Sequence, residues 1–175
     1  ANVELVFHAA GPFIYTSAPM VQACLKTRTH YLDITGEIPV CEHTYSLDKQ
    51  ARDQEIVLIS GSGYDVIPTD CLARRLADQL PDATELELAV EMRLLRTMSV
   101  GTGLPAIETA TQGLMVRRDG QLRLVPGRPQ ARRLCFVDHE SWCLPGTAMD
   151  LSTAYRSTGI PNITIYSAFP VITAT

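Results

Sequence analysis

Three stretches carry residue types that could do chemistry at spacings that bring them together. Asp33-Ile34-Thr35-Gly36-Glu37 sets two carboxylates around a glycine, an arrangement that can hold an amine or shuttle a proton. A structural reading competes with it, in which Asp33 or Thr35 caps a helix and Glu37 is a first-turn acid favoured by the helix dipole. Gly61-Ser62-Gly63-Tyr64-Asp65-Val66 continues to Asp70, after an apolar strand and before a helix, which is the context of a dinucleotide loop. Its sixth position is Val66, however, and Asp65 and Asp70 would repel a pyrophosphate. Those carboxylates suit a polar or cationic substrate group better, with capping by Thr69 or Asp70 as the structural alternative. His8-Ala9-Ala10-Gly11-Pro12-Phe13 places small residues ahead of a helix start, where a ligand can approach the backbone and an anion is favoured. A tight turn explains the same residues, and His8 reads as a strand-end structural histidine rather than a base. Gly101-Thr102-Gly103-Leu104-Pro105-Ala106 spells G-x-G-x-x-A, but no strand ends before it, so it suggests an anion site at most.

Secondary structure must hold these stretches in place. Residues 3–7, 30–34 and 56–59 read as strands, the last an apolar run buried on both faces of a parallel sheet. Between the first two, Ser17 is positioned to cap a helix that carries Pro19 near its first turn, with Met20, Val21, Cys24 and Leu25 at helical spacing. Residues 39–54 read as a second helix. Strand and helix alternating at this spacing give two right-handed crossovers, so the three loops fall at the carboxyl ends of parallel strands, where such folds bind ligands. Downstream, a helix through Leu72, Leu76 and Leu80 stops at Pro81, and Leu86, Leu88, Val90 and Met92 alternate with glutamates as in a half-exposed strand. Residues 101–116 suggest a helix. Asp119-Gly120 predicts a hairpin, with Leu122, Leu124 and Leu134, Phe136 in two short strands joined by a turn at 126–129. A helix at 149–156 and a strand at 163–166 follow. The fold class is α/β: a parallel crossover part, then a mixed α+β part.

Composition narrows the function classes. The 175 residues are 46% hydrophobic and 19% charged, and a soluble domain of this length buries roughly 70% of its unfolded surface. Collagen, extended disorder and a disulfide-dense miniprotein are excluded. A formal net charge of −4 without a Lys/Arg block argues against nucleic acid or an anionic membrane as partner. No apolar run reaches the roughly 18–20 residues of a membrane helix, and no basic-then-apolar leader opens the sequence. Cys24, Cys41, Cys71, Cys135 and Cys143 are odd in number and form no C-x-x-C pair. They read as thiols in a reducing compartment rather than disulfides or a metal site, which makes the cytoplasm the expected location. Cys71, opening a helix, is the one thiol whose anion a dipole could favour. Asn162-Ile163-Thr164 spells a glycosylation site that a cytoplasmic location voids.

The ordered segments GPF, CLKTRTHYLDITGE, SGSGYDVIPTDCLA, GTGLPAIET, VRRDGQL and STAYRSTGIPNI together resemble the saccharopine dehydrogenase-like oxidoreductases. Within them the sequence is most similar to the branch labelled saccharopine dehydrogenase or trans-acting enoyl reductase. The resemblance implies that residues 1–70 form the C-terminal half of a Rossmann-like parallel sheet. It implies that residues 71–175 form part of an α+β domain for substrate binding and dimerisation. Gly11, Pro12 and Phe13 match the family loop near the cofactor. Gly36, Glu37, Gly63 and Asp65 match positions flanking the active cleft, and Asp33 joins them as a substrate-binding candidate from the residue reading above. No catalytic acid or base is assigned, and no metal is implied. The family's opening strand, phosphate-binding glycines and ribose-binding residue would precede Ala1, and its last segment would follow Thr175. The expectation is therefore a fragment of an NAD- or NADP-dependent oxidoreductase acting on a small carbonyl, imine or enoyl substrate. By itself the chain is expected to be inactive, to bind neither cofactor tightly, and to form a homodimer. The alternative is a non-catalytic module for substrate binding or dimerisation.

Overall fold

The computed structural model describes residues 3–91, 113–126 and 130–168. Three parallel strands open it: β1 (Leu5–His8), β2 (His30–Asp33) and β3 (Leu58–Ile59), in that spatial order. Leu5 lies opposite His30 and Leu32 opposite Ile59, so the expected neighbouring parallel strands are present. The crossovers are α1 (Phe13–Thr27) and the pair α2 (Ile38–Ser46) and α3 (Asp48–Asp53).

Several boundaries differ from expectation. α1 starts at Phe13, so Ser17 is a buried helix residue and not a cap, and Pro19 lies in the helix interior, where its i−4 hydrogen bond is lost. The predicted helix 39–54 breaks at Leu47, whose side chain turns into the core beside Val21, Leu25 and Ala51. The run at 56–59 is covered on one face only. Val6, Tyr31, Ile56 and Leu58 pack on α1 and α3, whereas Leu5, Phe7, Val57 and Ile59 are exposed on the other face.

α4 (Ile67–Ala77) leads into a second, mixed sheet made of β4 (Glu85–Glu91), β5 (Leu114–Arg118), β6 (Gln121–Val125), β7 (Arg132–Cys135), β8 (Glu140–Gly146) and β9 (Asn162–Ala168). β9 is its hub. β4 runs parallel along the whole of β9, while β5 meets it at Ile163 and β8 from Ile165 to Ala168, so the two antiparallel strands share one edge in succession. The Asp119-Gly120 hairpin forms as expected, with both residues at positive φ. The predicted helix at 101–116 is overturned at its end, where Leu114–Arg118 is β5, an antiparallel partner of β6. Gly101–Ala106 and the 127–129 part of the expected turn lie outside the described residues. Phe136 falls just past β7, and β8 was not expected at all.

Leu86 and Leu88 are buried on α4 and on α5 (Asp150–Thr158), so the inner face of β4 is not a free surface for self-association. α4 itself packs on α5 through Ala73 and Ala154, small residues that allow close approach. Leu72, Leu76 and Leu80, through which the sequence runs this helix, line its solvent side. Arg117 fastens α5 to β5. Its guanidinium lies 4.3 Å from the centre of the Tyr155 ring and donates to the carbonyls of Leu151 and Gly120. All five cysteines are free, and Cys71 sits inside α4, not at its opening. Among the described residues no helix is long and apolar enough to cross a membrane, and no group of three or more His, Cys, Asp or Glu side chains could hold a metal.

Candidate functional site

The loops after β1, β2 and β3 converge where the sequence places its candidates. Asp33 ends β2 fully buried. Its Oδ1 accepts the amides of Thr35 at 3.0 Å and Gly61 at 2.9 Å, and its Oδ2 accepts the Ser60 hydroxyl at 2.9 Å. The Asp33 carbonyl accepts both the amide and the hydroxyl of Ser62, each at 2.7 Å. Asp33 thus binds one loop to the next. It does not cap α2, whose N-cap is Glu37, and neither does Thr35, whose hydroxyl accepts the Glu37 amide at 3.1 Å.

The same two loops touch at their glycines. A Cβ on Gly36 would stand 2.6 Å from Asp65 Oδ2, and one on Gly63 would stand 3.2 Å from Ile34 Cβ. Only glycine lets the Asp65 carboxylate approach the backbone this closely. Crowding by its neighbours pushes the Asp65 carboxyl up by desolvation, although the residue as a whole is exposed to solvent. Tyr64 beside it is almost fully exposed.

After β1, the Gly11-Pro12 peptide is cis and Phe13 begins α1. The Phe13 amide donates to Glu37 Oε1 at 3.0 Å. A side-chain carboxylate therefore already occupies the α1 N-terminus, where the sequence suggested an anionic ligand. His8 is buried, 2.9 Å from the Tyr31 hydroxyl through Nδ1 and edge-on to Phe13. Burial, followed by the nearby Asp33, pushes the Tyr31 phenol well above its usual range.

Asp150, at the start of α5, was not among the sequence candidates. It is 4% exposed, and burial raises its carboxyl from 3.8 to about 6. The Thr69 hydroxyl donates to it and pulls the other way, while Asp65 and Asp70 add to the rise. Asp70 in turn accepts the Ser157 hydroxyl at 3.0 Å, so Thr69 and Asp70 both bond to α5. Met149, next to Asp150, is fully buried, and its Cε lies 2.0 Å from where a Gly61 Cβ would stand. That contact seats the α5 N-terminus directly on the loop after β3. An acidic residue in a first turn normally signals only the helix dipole; its burial between α4, α5 and this loop is invisible in sequence. Two and three residues further on, the buried hydroxyls of Ser152 and Thr153 have no hydrogen-bond partner among the described residues.

A cavity of about 170 Å³ lies between the N-terminal halves of α1 and α2, and one of about 270 Å³ lies beside β3. Both are smaller than the roughly 300–1,000 Å³ typical of ligand pockets. The strand-end loops offer chemistry of another kind: exposed backbone at Gly36 and Gly63, and carboxyls of raised proton affinity at Asp65 and Asp150.

No family model matches the chain. A trans-acting enoyl reductase from Mycobacterium ulcerans is 29% identical over 134 residues, which is 76% of this chain and 30% of that protein. A saccharopine dehydrogenase-like oxidoreductase from Bos taurus is 31% identical over 70 residues, 39% of this chain and 16% of that protein. Among solved structures, apo saccharopine dehydrogenase (L-Glu forming) from Saccharomyces cerevisiae aligns with a TM-score of 0.53 and 13% identity. That alignment covers 93% of this chain and 40% of that one, and it establishes a shared fold. The chain spans about 30% of the length of the first of these relatives.

Proposed function

We propose that this chain, homologous to part of the saccharopine dehydrogenase-like and trans-acting enoyl reductases, contributes to an oxidoreductase that uses NAD or NADP. Its reaction would move hydride to or from a small carbonyl, imine or enoyl substrate. The observation that carries this reading is the meeting of loops 33–37 and 60–66 at the carboxyl ends of β2 and β3, the place where open parallel sheets bind ligands.

A nicotinamide cofactor, when bound, supplies or accepts the hydride. The described residues fit such a group in part. Small residues precede Gly11, and a Cβ at Gly11 would meet only the Phe13 ring and amide, so Gly11, Pro12 and Phe13 would line its nicotinamide end, which bears no phosphate. The pyrophosphate does not fit on α1, because Glu37 holds the Phe13 amide and carries negative charge. Asp65 and the Gly36 and Gly63 backbone would face a polar substrate group. Asp150 retains a proton to about pH 6 behind them. Asp33 keeps the loops together.

The reading is tested by titrating the full-length reading frame with reduced NAD and NADP and following nicotinamide fluorescence. Saturable binding that Gly11→Val weakens supports it. Absence of binding for both cofactors overturns it.

A further inference from the structure

The turn between β7 and β8 holds a histidine in an unusual setting. His139 Nδ1 lies 2.6 Å from Asp138 Oδ1, and its Nε2 lies 2.9 Å from Glu91 Oε1 at the end of β4. A neutral imidazole carries one N–H and can donate to only one of these carboxylates, whereas the imidazolium donates to both. The geometry is that of the charged ring. Phe136 stacks on it at 5.5 Å and 16°, and the Phe136 amide donates to the His139 carbonyl at 2.8 Å, which fixes the turn. Ser141 donates to the same Glu91 Oε1 at 3.1 Å.

We propose that His139 is a proton-operated clamp fastening the β7–β8 turn to the end of β4. β4 and β8 flank β9, and both pair with Ala168, so the clamp closes over that end of the hub strand. Among the described residues, the groups facing the ring are Glu91 from β4, Asp138 from its own turn and Ser141 from β8. The two carboxylates, Asp138 first, hold His139 above the ordinary 6.5. A group raised in this way contributes stability that is complete below its unfolded value and lost as pH rises through its folded value. Once the proton leaves, only one ring nitrogen can still donate, so one of the two carboxylate bonds is lost and the hold on the turn weakens.

The test is an NMR titration of the His139 ring in the 175-residue chain, with amide exchange followed through the turn. The ring is expected to titrate above 6.5, and Glu91→Gln to shift it downward. Protection of the Ser141 amide should fall as pH passes through the His139 value, and this step should vanish in His139→Gln. A ring titrating at or below 6.5 overturns the clamp, as does protection without a step in the native chain. Should Glu91→Gln fail to fold, the native titration and exchange profile decide alone.

Discussion

Gly61, in the loop after β3, donates its amide to the carboxylate of Asp33 at the end of β2, at 2.9 Å, so one buried acid governs where two loops stand. Asp33→Ala would strand the Thr35 and Gly61 amides in the interior, each costing about 1–3 kcal/mol, while the Ser60 hydroxyl keeps Thr44 as a partner. We expect a loss of roughly 3 kcal/mol or more in urea unfolding. Asp33→Asn should lose about half as much, because its oxygen still accepts the two amides and the Ser60 hydroxyl can turn to accept. Equal losses from the two variants would show that charge, rather than hydrogen bonding, matters there.

Gly61 has φ +75, and a Cβ would collide with the Met149 methyl. Gly61→Ala should therefore cost about 2 kcal/mol from left-handed strain and displaced packing. The displaced methionine adjoins Asp150, so the same variant should alter the Asp150 titration. A stability change below about 0.5 kcal/mol, the range of ordinary surface substitutions, would contradict the seating of α5 on this loop.

Asp150 makes stability depend on pH with a definite sign. Its carboxyl moves from 3.8 to about 6 on folding, so the folded chain binds more protons between those values and stability falls as pH rises through that window. Asp150→Asn keeps an acceptor for Thr69 and should remove this slope, gaining on the native chain by at most roughly 3 kcal/mol at pH 7 relative to pH 4. Parallel unfolding curves for the two proteins across the window would refute the assignment.

Glu37 should govern anion affinity. The 175-residue chain is expected to bind NAD and NADP weakly, because the carboxylate repels a pyrophosphate at α1. Glu37→Gln retains an acceptor for Phe13 and should tighten binding of either cofactor in calorimetry. A micromolar dissociation constant for the native chain, or no gain in the variant, counts against this.

We also expect self-association. Leu5, Phe7, Val57 and Ile59 are each about half exposed on one sheet face, and Trp142 and Leu144 are similarly open on β8. Parallel sheets are normally covered on both faces. Light scattering should give a mass near twice 19.2 kDa, and a value near 19.2 kDa would reject the dimer.

The parallel sheet was legible in sequence because each strand is a short apolar run closed by a small or turn residue, as at Gly11, Gly36 and Gly61. The loops facing the site followed from it. β8 was not legible, since Pro145-Gly146 spells a break where the chain still pairs with Ile165 and Tyr166. The leucines in and just after α4 show a second limit. Their spacing says that Leu72, Leu76 and Leu80 share a face, but the opposite face, with Ala73, is the one that is covered. Asp150 shows the third. Its proton affinity depends on Thr69, Asp65 and Asp70, which lie about 80 positions away in sequence.

The hub position of β9 carries a consequence for synthesis on the ribosome. Leu86 and Leu88 emerge early, yet their strand partners Ile163 and Ile165 are made 77 residues later. At typical elongation rates of about 5–20 residues per second, that is a wait of roughly 4–15 s. Until then β4 has no neighbour on that edge, and β5 and β8 have no common strand to join. The first sheet can close while the second is still being made, so pausing or truncation between β4 and β9 should yield chains that chaperones capture.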